Sequence, residues 1–226
     1  NPIADAVEIV QQAKGLKNFR CLTVRGDVIE NAGSSIVQEL GFSLAVGSEY
    51  MSQLTEAGIS ADDAANAIKF QFATGSNYFM EIAKLRAARY LWAKALSAFG
   101  LENESSAQMH IHSISTTWNK SIYDSHVNIL RTTTEGMSAV IAGVDSLNIL
   151  PFDTTYQDAT SFSERIARNQ QLVLKEESYF AFERLTWYEK FGILLMLIPI
   201  IAIGVAPLWL SEMIMESLKP FIQGVL

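Results

Sequence analysis

The chain has 226 residues, room for one large domain or for a modest domain with an appendage. Its formal charge of −7 argues against a nucleic-acid partner, which requires a clustered basic face. Cys21 is the only cysteine, so the chain can form neither an internal disulfide nor a cysteine metal cluster, and a reducing, cytoplasmic compartment is expected.

The chain opens Asn1-Pro2-Ile3 with no basic or apolar leader run, so no signal peptide is expected. Residues 19–24 read as a strand, followed by Gly26 and a helical stretch over about 33–57. Ile36, Leu40, Leu44 and Val46 recur there at roughly helical spacing and are expected on one side. Ser60, with Asp62 and Asp63 behind it, starts a short helix. Residues 68–73 are a second strand that Gly75 ends, and Asn77 leads into a helix over 78–99. Residues 109–115 form the third strand and 127–142 the helix after it. The fourth strand covers 146–152, and the last helix before the tail covers about 161–179.

Four strands, each followed by a helix, imply parallel pairing through right-handed crossovers. The class is therefore α/β, either half of an eight-fold barrel or a small open doubly wound sheet. No glycine-rich dinucleotide fingerprint follows any strand, which weakens the open-sheet alternative. Half a barrel leaves two unpaired strand edges, which need the other half, a partner or a rearrangement.

The residues nominate little chemistry. His110 and His112 alternate along the third strand and share a face, a spacing that can ligate a metal but has no obvious third ligand nearby. Polar packing at a strand end is the simpler reading, with Ser113 and Ser115 on the opposite face, and His126 reads as a surface residue. Glu81, Lys84, Arg86 and Arg89 share one helix, where a Glu81–Lys84 pair on a solvated face is expected. Phosphate binding by Arg86 or Arg89 is the alternative. Glu164, Arg165 and Arg168 read as another solvated run. No nucleophile–base pair, phosphate loop or metal box is present.

Several segments together resemble methylmalonyl-CoA mutase. They are NAGSSIVQELGFSLAVGSEY (31–50), NYFMEIAKLRAARYLWAKAL (77–96), TTWNKSIYDSHVNILRTTTEGMSAVIAGVDSLNILPFD (116–153) and SFSERIARNQQLVLKEES (161–178). The resemblance covers residues 1–180, about four-fifths of the chain, in order and at family spacing. It implies the second half of a TIM-type (β/α)8 barrel, four β/α units, in a family that threads CoA along the barrel axis.

The departures from the resembled family carry the functional expectation. Catalytic members have a histidine at the strand-end motif that hydrogen-bonds the substrate thioester carbonyl. Val28 stands there and can neither donate a hydrogen bond nor stabilise developing charge. Ala67 and Lys69 replace an arginine and a serine that contact CoA, and Ile114 replaces a glutamine close to substrate and adenosyl group. Asp145, Leu150 and Thr154 replace glutamine, asparagine and glutamate positions that contact the adenosyl group. The segments TTWNKSIYD and VDSLNILPFD resemble the small, non-catalytic subunit of the heterodimeric bacterial enzyme. The resemblance thus implies a structural partner of the catalytic large subunit, which interconverts methylmalonyl-CoA and succinyl-CoA. Adenosylcobalamin is expected in that partner, and this chain is expected to offer no catalytic, CoA-binding, cobalamin-binding or metal site.

From 181 onward the character changes. Residues 191–210, FGILLMLIPIIAIGVAPLWL, carry no charge over a length that crosses a bilayer core, with Trp187, Tyr188 and Trp209 at the ends. A membrane-crossing helix is expected there, with a buried core helix as the alternative. An acidic-basic pair before an apolar run holding IGVAP resembles the C-terminus of an antiporter-like membrane subunit of respiratory NADH:quinone oxidoreductase. Two other functional readings stay open: a membrane-anchored fusion or chimera, and a catalytic mutase fragment with altered contacts.

Overall fold

The computed structural model describes residues 2–16 and 19–178. The chain divides into two units, residues 1–181 and 182–226. The tail, with its expected span at 191–210, lies outside the described residues. Among the described residues no helix is long and apolar enough to cross a membrane.

Helix α1 (Pro2–Ala13) precedes strand β1 (Leu22–Arg25), after which come α2 (Gly26–Asn31), α3 (Ile36–Glu56) and α4 (Ala61–Ala67). Strand β2 (Ile68–Thr74) leads through Gly75 into α5 (Tyr78–Leu96), and β3 (Ile111–Ser115) leads into α6 (Val127–Ala142). Strand β4 (Ser146–Asn148) and α7 (Ser161–Leu172) follow, and α7 runs on into a wider π turn over Val173–Glu177. The four strands form one parallel sheet in the order β1-β2-β3-β4, with Val24 opposite Phe70 and Phe72 opposite Ser113. Neighbours in sequence are neighbours in space, as right-handed strand–helix–strand units require.

The two faces of this sheet differ sharply. Val24, Ile68, Phe70, Phe72 and Ile111 are buried on one face, under α3 and α5. The Phe70 ring meets Trp92 of α5 edge to face at 4.7 Å, a preferred aromatic geometry. The other face presents Thr23, Arg25, Lys69, Gln71, His112, Ile114, Ser146 and Asn148, half-buried or exposed, with Ala73 fully buried among them. None of them belongs to the apolar core. Parallel sheets are ordinarily covered on both faces.

Several boundaries differ from the sequence reading for identifiable reasons. The expected helix over 33–57 is α3 over Ile36–Glu56, and a short unexpected helix, α2, precedes it, the two separated at Gly33, whose φ of +98° an L side chain rarely adopts. Ser35 then starts α3 with a reciprocal capping box to Gln38. Strand β1 starts at Leu22 rather than 19, and β3 at Ile111 rather than 109. Strand β4 stops at Asn148, not 152; beyond it the Leu150 N–H donates to the Ser115 hydroxyl, and Pro151 has no N–H to give.

The apolar stripe expected on α3 is not the line it buries deepest. Glu39, Ser43, Gly47, Met51 and Leu54 are buried, while Leu40, Leu44 and Val46 are half-buried at the edge of the core. Close approach explains the shift. A Cβ on Gly47 would lie 2.6 Å from the Phe70 ring and 2.9 Å from Trp92, and one on Gly26 would lie 2.6 Å from the Ser43 hydroxyl.

Candidate functional site

In parallel α/β folds the loops after the strands build the active site, so the C-terminal end of this sheet is where chemistry would sit. At the end of β1 the chain turns at Gly26 directly into α2, which leaves Val28 55% exposed. Ile114 is half-buried on the bare sheet face, in register with Ala73 and Asn148. Leu150 lies just past β4, and the Thr154 hydroxyl donates to the Pro151 carbonyl at 2.9 Å. Val28, Ile114, Leu150 and Thr154 therefore gather at one end of the sheet.

The remaining expected positions lie at the opposite end. Asp145 precedes β4, and its carboxylate accepts from the Ile111 N–H at 2.8 Å and from Arg89 at 3.0 Å. Ala67 is buried at the end of α4, and Lys69 stands half-buried on the bare face next to Thr23. The two histidines share that face. His112 Nδ1 lies 2.8 Å from the Ser146 hydroxyl, and His110 Nδ1 lies 3.8 Å from Asp145. Desolvation pushes both imidazoles below their ordinary value. Among the described residues no group of three or more His, Cys, Asp or Glu is placed to hold a metal.

The helix charges have structural partners. Glu81 and Lys84 do pair, at 2.6 Å, but in the interior rather than on a solvated face. Arg86 donates to the Ile141 carbonyl at 3.1 Å. Arg89 donates to the Met109 and Gly143 carbonyls, both at 2.6 Å, tying α5 to the start of β3 and the end of α6. These contacts engage both arginines with backbone carbonyls, Arg86 joining α5 to α6 and Arg89 joining α5 to the start of β3 and the end of α6. Glu164, Arg165 and Arg168 are exposed on α7, with Arg165 over the Phe162 ring. His126 is exposed and its ring lies 5.1 Å from that of Phe152.

The sequence reading missed a band of buried ionisable groups beneath the strand ends. Lys84 Nζ contacts Glu39 at 2.5 Å and Glu81 at 2.6 Å, and it donates to the Ala73 carbonyl at 2.7 Å. The Ala73 N–H donates to Glu39 in turn, at 2.9 Å. Glu30 accepts from the Thr116 hydroxyl at 2.5 Å, and Lys120 reaches both oxygens of Glu135 at 2.6 Å. Burial raises Glu39 to about 7 and Glu135 to about 7, each against the pull of its lysine, and burial also raises Glu30. Burial opposes the charge on Lys84, but Glu39 and Glu81 outweigh it and hold the ammonium above its ordinary value. Lys120 is pushed down by burial.

A cavity of about 340 Å³ opens beside Glu30 and Glu81, between the starts of α3 and α5. Its lining offers serine, asparagine and carboxylate groups and no histidine or cysteine. The signal for the buried band was present in the sequence as Glu39, Ser43 and Gly47 at four-residue spacing, a polar and small line that hydrophobic periodicity passes over.

The family model described as methylmalonyl-CoA mutase matches residues 2–182. The chain belongs to the methylmalonyl-CoA mutase family. Over 174 residues it is 53% identical to the methylmalonyl-CoA mutase small subunit of Porphyromonas gingivalis, a match covering 76% of this chain and 28% of that protein. It is 41% identical over 176 residues to the methylmalonyl-CoA mutase of Rhizobium meliloti, covering 78% of this chain and 24% of the relative. The methylmalonyl-CoA mutase large subunit of P. gingivalis is 36% identical over 185 residues, covering 82% and 26%. The chain thus spans about a quarter of the length of these mutase relatives. The family match ends at residue 182 and does not bear on the tail's resemblance.

Proposed function

We propose that residues 1–180 are a piece of a methylmalonyl-CoA mutase small subunit, a structural partner of the catalytic subunit, with no chemistry of its own. The observation that carries this reading is the identity gap within one organism. The chain is 53% identical to the P. gingivalis small subunit and 36% identical to the large subunit. The strand-end geometry supports it. Val28 places an exposed isopropyl group where the resemblance puts a hydrogen-bond donor, and Ile114 and Leu150 are equally inert.

Among the described residues the polar face of the sheet is uncovered and its two edges are unpaired, which favours the second half of an eight-stranded barrel, completed by four further β/α units. Adenosylcobalamin and the CoA ester are then assigned to the catalytic subunit, where the cofactor would supply the radical chemistry. The cytoplasm is the compartment this reading implies. Mixing the chain with a catalytic large subunit and following sedimentation tests it: a co-sedimenting complex is expected. Cobalamin-dependent turnover by the chain alone would overturn it.

A further inference from the structure

The loop between β3 and α6 carries Trp118, 67% exposed, and Tyr123, 97% exposed, yet its backbone is closely fastened. Asn31 Oδ1 accepts from the Thr117 N–H at 2.8 Å and lies 2.9 Å from the Thr116 hydroxyl. The Trp118 N–H donates to the Thr116 hydroxyl at 3.1 Å, and that hydroxyl donates to Glu30. Asn119 and Lys120 both donate to Glu135 of α6, and the Ser121 N–H donates to Asn128 Oδ1 at 2.9 Å. Thr116, Asn128, Glu30 and Glu135 are buried anchors and Asn31 is half-buried, and two of these anchors are carboxylates.

The charges under this loop do not balance. Glu30, Glu39, Glu81 and Glu135 are buried, against the two ammonium groups of Lys84 and Lys120. Helix α2 contributes Glu30 and also Asp27, which pairs with Arg25 at 2.7 Å; α3 contributes Glu39, and α5 contributes Glu81 and Lys84. Helix α6 contributes Glu135 and Arg131, whose guanidinium donates to Asn128 Oδ1 at 3.0 Å. With every group ionised, the four carboxylates exceed the two lysines by two negative charges in a poorly solvated interior. That arrangement is costly unless protons remain bound. The protons belong to the cluster as a coupled unit and not to one residue.

We propose that this cluster is a proton-dependent latch, which fastens the loop of residues 116–126 to the end of the sheet while it keeps a bound proton. When the loop opens, its carboxylates meet water and regain their ordinary acidity, so opening releases protons. The closed state is thus favoured at acidic pH, and the fastening weakens as pH rises. For one released proton, opening grows by about tenfold per pH unit over the window between the free carboxylate value of 4.5 and the folded value of about 7, then levels off.

Hydrogen exchange of the full chain tests the latch, with rates corrected for the intrinsic pH dependence of amide exchange. Protection of the Thr117, Trp118 and Ser121 amides is expected to fall about tenfold per unit from pH 5 to pH 7. The amides of the β2–β3 ladder, which exchange through unfolding of the whole sheet, should stay better protected than the loop amides at every pH. In Glu30→Gln, which keeps an acceptor for Thr116 and removes one charge, the dependence should be markedly shallower. Loop protection that does not change with pH overturns the proposal. So do loop amides that exchange only as fast as the ladder amides at every pH, or a Glu30→Gln profile identical to that of the parent chain.

Discussion

Lys120 and Glu135 form an ion pair at 2.6 Å in which the lysine side chain is 3% exposed and the carboxylate is fully buried. The pair joins the loop after β3 to the middle of α6, and Asn119 adds a second donor to the same oxygen. A buried pair of this kind is weak evidence for net stability, but removing one partner strands the other. Glu135→Ala is therefore expected to destabilise the chain by about 3–5 kcal/mol. The double change Lys120→Met with Glu135→Leu should cost much less. Urea midpoints for the two variants check this, and equal losses would contradict it.

Gly47 sits where α3 comes closest to the sheet. A methyl group there would overlap the Phe70 and Trp92 rings, at 2.6 and 2.9 Å. Both rings are buried and pack edge to face, so neither can yield cheaply. Gly47→Ala is expected to destabilise by about 1–3 kcal/mol through overpacking, although alanine favours a helix. Gly41, with open space around its Cβ direction, is the control. Gly41→Ala should stabilise slightly, and thermal melts of the two variants should move in opposite directions.

The capping box at the start of α3 makes a smaller and local prediction. Ser35 accepts from the Gln38 N–H at 3.3 Å, and Gln38 accepts from the Ser35 N–H at 2.9 Å. Ser35→Ala should cost about 1 kcal/mol, and Ser35→Asp almost nothing. Denaturant titration reads both.

Glu39 sets the sign of a stability–pH profile. Burial raises its folded value to about 7 from an ordinary 4.5, so the folded chain binds a proton that the unfolded chain releases. The stability this contributes is fully present below pH 4.5 and is lost as pH rises through about 7. Glu39→Gln keeps an acceptor for the Ala73 N–H and should flatten the profile across that window. Unfolding midpoints at pH 5 and pH 8 check it.

Much of the α/β pattern was legible because strands β2 and β3 and helix α6 follow their hydrophobic period and α5 is rich in Ala, Leu, Lys and Arg, with Gly75 and Ser60 marking a strand end and a helix start. Helix α1 was not anticipated. Helix α2 was not anticipated either, because the six residues GDVIEN carry no usable period. The line α3 buries deepest was misplaced, since proximity to Phe70 favours glycine and serine where periodicity looks for leucine. The buried charges were not legible either: Lys84 reads as part of a solvated face and Glu39 and Glu135 carry no signal until their partners, 45 and 15 positions away in sequence, are brought beside them. Val28, by contrast, was legible from the family resemblance, and the fold places it exposed at the end of β1.

The central claim is that this stretch does no mutase chemistry and holds no CoA ester. Calorimetric titration of succinyl-CoA into the chain tests it most directly, with a catalytic large subunit run alongside as the positive control. The account predicts saturable heat for the control and none for this chain. Saturable, stoichiometric binding by the chain itself would contradict it.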